Sequence, residues 1–158
     1  MGSEGETWRT DPHTLRDVPV DRTALASRLE ECPPLERVWI LSLLGRNTEA
    51  IAAGRVLLAD SRDRFRPLLV LAHAYQRQYR WHKAAKLQEE ALCLADTIER
   101  EALVRHQIGR RFFDEARYRD AAAEFEWACD LYKASGRDNL ANMSCQAMHR
   151  ARKIHGRT

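Results

Sequence analysis

The chain has 158 residues, 44% hydrophobic and 31% charged, with a formal net charge of +3. That length fits one domain able to bury a substantial core, and 22 Ala and 18 Leu against 6 Val, 5 Ile and 7 Thr favour helix and exclude a large sheet. No apolar stretch nears the roughly 20 residues that cross a bilayer, and the polar start MGSEGETWRTDPHT lacks the apolar centre of a secretory signal. The expectation is a soluble, all-α, cytoplasmic protein.

In chain order, residues 1–20 are polar, hold Pro12 and Pro19 and show no period. They read as a flexible N-terminal tail with Trp8 as its one sticky residue. Residues 21–158 read as one helical domain. It opens with a short helix at 21–31, ended by Pro33-Pro34. All five prolines lie at or before Pro67, so the rest of the chain is a long permissive run for helices.

Three later segments share one apolar stencil. It falls on Asn47, Ala50, Ile51, Gly54, Leu57 and Leu58; on Trp81, Ala84, Ala85, Gln88, Ala91 and Leu92; and on Tyr118, Ala121, Ala122, Phe125, Ala128 and Cys129. Offsets of three and four residues place each set on one helix face. Each stencil helix follows another apolar-periodic segment across a tight joint at Leu44-Gly45-Arg46, Gln78-Tyr79-Arg80 or Glu115-Ala116-Arg117. The spacing predicts three helical hairpins near 34–60, 65–96 and 100–134. A closing amphipathic helix over 137–154 is marked by Leu140, Met143, Ala147, Ala151 and Ile154.

This repeat resembles the tetratricopeptide-repeat family, whose helical hairpins recur about every 34 residues. The third hairpin carries the resemblance best: Ile108-Gly109 stands for the family's Leu-Gly pair, Phe112 for its Tyr, Tyr118 for the turn aromatic, Ala121 and Ala128 for the small crossing residues and Phe125 for the large plug. The second matches at Leu71-Ala72, Tyr75, Trp81, Ala84 and Ala91, with Gln88 in place of the plug. The first departs most, with Asn47, Gly54 and Leu57 at the aromatic, plug and small positions. The starts of the last two stencils lie one helical turn further apart than the first two, and the proline that often ends the second helix is missing. The resemblance implies a right-handed α-α superhelix, a solenoid of helical hairpins closed by a polar-faced cap.

It also implies a concave groove lined by the first helix of each hairpin. The candidate groove residues are Trp39, Arg66, His73, Gln76, Arg77, His106, Arg110, Phe113 and Asp114. Arginine with aromatic anchors is the composition of protein-binding hot spots, and guanidinium forks suit carboxylates. The functional expectation is a non-enzymatic interaction module that takes a peptide, acidic in character, from another protein. The bland alternative pairs the arginines with local acids and packs Trp39 under the N-terminal helix. The Lys/Asn clamp of the family's chaperone-tail binders is replaced here by Leu35, Trp39, Leu69 and His73.

Other chemistry finds little footing. Cys32, Cys93, Cys129 and Cys145 form no C-x-x-C pair and read as buried free thiols. His73 with His106, and Cys145 with His149, supply two metal ligands each and no third. No phosphate-binding, nucleotide-binding, nucleophile-elbow or zinc-hydrolase motif occurs, and neither cofactor nor metal is expected. Two alternatives remain: a nucleic-acid-binding solenoid, disfavoured by the mild charge, and a homodimer in which the N-terminal tail or the last helix fills a neighbour's groove.

Overall fold

The computed structural model describes residues 5–156. Residues 1–4 of the expected tail and residues 157–158 lie outside the described range. The fold is all-α. Among the described residues a two-stranded hairpin, β1 (Trp8–Thr10) and β2 (Asp17–Pro19), precedes eight helices. They are α1 (Arg22–Arg28), α2 (Pro34–Leu43), α3 (Asn47–Asp60), α4 (Phe65–Arg77), α5 (Trp81–Leu94), α6 (Ile98–Asp114), α7 (Tyr118–Ala134) and α8 (Asp138–His155).

Local chemistry sets the boundaries. The Asp21 carboxylate accepts from the Ala24 N–H at 3.0 Å and starts α1, and the Thr97 hydroxyl accepts from Arg100 N–H at 3.1 Å and starts α6. Pro34 occupies the first turn of α2, where its missing N–H costs nothing. The loops after α2, α4, α6 and α7 repeat one device. Gly45, Tyr79, Ala116 and Gly136 take φ of 74°, 60°, 60° and 76°. The next residue, always an arginine, then donates its N–H back to Leu41, Tyr75, Phe112 or Tyr132, at 3.0, 3.0, 2.8 and 2.9 Å. This left-handed C-cap ends one helix and aims the next.

Adjacent helices pack in pairs, α2 on α3, α4 on α5 and α6 on α7, with α8 against α7. Trp81 and Tyr118 open α5 and α7 at equivalent places. Ala50, Ala84 and Ala121 are fully buried, which lets the helices of each pair approach closely. The plug position differs from pair to pair. Phe125 lies so close to Gly109 that a Cβ there would sit 2.7 Å from its ring, whereas at Gly54 the gap is filled from outside by Leu71, 2.8 Å from where a Cβ would stand. Gln88 is buried and polar; its oxygen accepts from Arg111 Nε at 2.7 Å. The first helices also touch one another, α2 with α4 and α4 with α6, and so form a wall.

Two expectations are corrected. Over residues 8–19 the supposed flexible tail is a β-hairpin, held by contacts with the wall that no local pattern announces. Cys129 and Cys145 are not free thiols but a disulfide joining α7 to α8, with Cα atoms 5.6 Å apart. They stand equally far in sequence from Arg137 in the connecting loop, so an antiparallel helix pair brings them face to face. Cys32 and Cys93 remain free.

Candidate functional site

The wall of α2, α4 and α6 already grips an extended chain: the protein's own hairpin. Its turn is built by Asp11, whose carboxylate accepts from the N–H of His13 at 2.7 Å and of Thr14 at 3.3 Å. The chain then passes through Leu15 with φ 57°, an uncommon conformation for a large side chain. Tertiary contacts hold it there. The Leu15 side chain packs on the apolar cluster to which α6, α7 and α8 all contribute, and its carbonyl accepts from Arg110 Nε at 2.9 Å.

Asp17 is the centre of the contact. Its side chain is 7% exposed and meets Arg110 through both oxygens, at 3.0 and 3.4 Å, while the Thr10 hydroxyl donates to it at 2.8 Å. Burial alone would raise this carboxyl's pKa; the Arg110 charge and the Thr10 bond outweigh it, and the net effect is a lowered pKa. Arg77 donates to the Asp17 carbonyl at 2.8 Å and to the Ser42 carbonyl at 2.9 Å. Arg16 reaches back, donating to Tyr79 Oη at 3.1 Å and lying 3.7 Å from Asp114. At the two ends Trp8 stacks edge-on against Trp39, centroids 4.7 Å apart, and Arg150 of α8 donates to the His13 carbonyl at 3.2 Å.

The candidate groove residues therefore divide. Trp39, Arg77, Arg110 and Asp114 do lie together on the wall, engaged by the hairpin rather than open. Gln76 is buried and donates to Asp114 at 2.9 Å, holding that carboxylate toward Arg16. Phe113 is a core residue at 6% exposure, stacked on Tyr118, because its face of α6 is covered by α7 and α8. Arg66 alone of the set is exposed, without an ion-pair or hydrogen-bond partner among the described residues.

The two histidines do not form a site together. His73 is half-buried on α4 with Nδ1 shielded and unbonded, and burial, reinforced by Arg110, lowers its pKa to about 3. His106 is buried on α6, its Nδ1 2.9 Å from Ser144 Oγ of α8, and burial again lowers its pKa to about 3. Both are neutral at physiological pH. No cluster of three metal-ligating side chains occurs among the described residues, and the disulfide removes Cys145 as a partner for His149.

Two clefts flank the hairpin. The smaller, ≈ 330 Å³, lies between α2 and α4 over Leu35, Trp39, Leu69 and His73. The larger, ≈ 1070 Å³, runs from Trp8 and Thr10 across α6 to α8, and Arg66 borders both. Leu140 and Met143, expected on the packing stripe of the last helix, are instead 39% and 43% exposed and line this cleft. Helical spacing marks them as apolar but cannot say which side of α8 is covered. Comparison of the chain with protein-family models, with curated proteins and with solved structures finds no match in any of the three.

Proposed function

We propose that this chain is a non-enzymatic protein-protein interaction module, a right-handed superhelix of tetratricopeptide-like hairpins that holds an extended peptide segment of another protein against its inner wall. The observation that carries this reading is the grip on the hairpin. Two arginines of the wall donate to main-chain carbonyls, of Asp17 and Leu15, and one of them also clasps a carboxylate. That is the chemistry needed to hold an extended acidic chain whatever its other side chains are. The repeated left-handed caps and the buried alanines at matching positions support the repeat reading. Adjacent to the occupied stretch, the larger cleft offers room and apolar surface for more chain. A protein or peptide is the partner class this reading takes.

Capture from cell extract by the immobilised full chain, followed by peptide mapping, tests the proposal. Leu140→Glu with Met143→Glu alters two exposed cleft residues and should abolish capture with far-UV helicity unchanged. Capture indifferent to both substitutions would place binding elsewhere and contradict the reading.

A further inference from the structure

The hairpin leaves one strand edge unpaired, and the two residues that carry it, Trp8 and Thr10, line the larger cleft. Val20 N–H donates to the Thr7 carbonyl at 2.9 Å and Asp11 N–H to the Arg16 carbonyl at 2.8 Å. With the register Trp8↔Pro19, Arg9↔Val18 and Thr10↔Asp17, the hydrogen-bonded pairs are Thr7–Val20, Arg9–Val18 and Asp11–Arg16, since such pairs alternate in an antiparallel ladder. The main-chain N–H and C=O groups of Trp8 and Thr10 therefore point away from β2. Among the described residues nothing bonds to them. Both residues are exposed, and both line the cleft.

Across the cleft stand Leu103, Leu140, Met143 and Ala147. Trp8, Leu140 and Met143 are three of the exposed large apolar side chains of the molecule, and this one cleft gathers them. Its charge is lopsided, with Arg66, Arg100, Arg110 and Arg137 against Asp17 and Glu99. Arg100 is paired with Asp63, Arg110 with Asp17 and Arg137 with Glu99, whereas Arg66 is in no ion pair among the described residues, its charge reaching Asp63 only at longer range.

We propose that the cleft receives an extended, acidic-apolar peptide segment that adds a third strand to β1 and sets a carboxylate on Arg66. This rests on the peptide-binding reading above and names the mode of that binding. A free strand edge requires a partner whose donors and acceptors recur every two residues, which an α-helix, having satisfied its own, does not offer. The same period separates the side chains into two sets on opposite faces, so that apolar residues meet Leu140 and Met143 with one set and acidic ones meet the arginines with the other.

The test uses the full chain and a fluorescein-labelled peptide of alternating valine and glutamate, read by fluorescence anisotropy. Comparison probes are the valine–lysine peptide and two versions of the first N-methylated at alternate residues, one for each edge. The valine–glutamate peptide should bind and the lysine peptide should not. Methylation of one edge should weaken binding about tenfold or more, and methylation of the other should leave it unchanged. Arg66→Glu should weaken it to a similar extent, as should Thr10→Pro, which deletes an outward N–H and spares the β1–β2 ladder. The methylated probes act on the unaltered protein, so they decide the matter even if Thr10→Pro unfolds the hairpin.

Binding that ignores methylation on either edge overturns the strand pairing and leaves the peptide-binding reading in place. Failure of every peptide to bind overturns both. Binding that frees the amides of Arg9 and Val18 to exchange shows the hairpin displaced, and a dimer that competes with the probe shows a second copy on the edge; each overturns the proposal.

Discussion

At the residue scale, four loops show how much one backbone angle decides. Gly45 and Gly136 adopt the left-handed conformation without a side-chain penalty, but Tyr79 and Ala116 adopt it against theirs. Tyr79 has a compensation, its hydroxyl and ring both engaging Arg16. Exposed Ala116 has none. Ala116→Gly should therefore stabilise the protein by about 1 kcal/mol, a rise in Tm of about 2–4 °C for a chain of this size, measurable by thermal denaturation. His106 supplies a second prediction. Its pKa falls from the ordinary value near 6.5 to about 3 because burial disfavours the charged ring. The unfolded chain binds the proton more readily, so this contribution to stability is complete above about pH 6.5 and shrinks as pH falls toward the folded value, by about 1.4 kcal/mol per pH unit. Urea midpoints should decline between neutrality and about pH 5, before carboxylates titrate, and His106→Asn should remove about half of that decline, the remainder belonging to His73, which burial depresses alike.

At the element scale the helices were legible and the hairpin was not, for a physical reason. Three-and-four spacing records burial of a helix face, and it marks the helix pairs and the tight arginine-ended joints in the sequence alone. The same pattern is blind to a side covered from elsewhere. Ser42 and Leu43 of α2 are buried, Leu43 in the cluster with Leu25 and Leu29 of the N-terminal segment. The strands of three residues carry Arg9 and Pro19 and bury little besides Asp17. Their stability lies in Arg77, Arg110 and Trp39, at least twenty residues away in sequence. The one local signal was the Asp11-Pro12-His13-Thr14 turn. Ala121 tests the helix contacts themselves: it is fully buried between α6, α7 and α8 neighbours, and Ala121→Leu should cost about 1–3 kcal/mol by overpacking, read as a lowered urea midpoint with an unchanged slope.

At the scale of the whole molecule, the N-terminal segment and the helical wall are one structure rather than a domain with an appendage. Asp17 is buried against Arg110, and Leu15 holds its unfavourable backbone angle with its side chain packed on the apolar cluster of α6, α7 and α8. The hairpin both demonstrates what the wall can hold and supplies, in β1, a new edge beside the larger cleft. Amide hydrogen exchange of the full chain, followed residue by residue by NMR, tests the seating of the hairpin most directly. Protected amides are expected at Arg9, Asp11, Val18 and Val20, alternating with freely exchanging amides at Trp8 and Thr10. Uniformly fast exchange through this segment would contradict it.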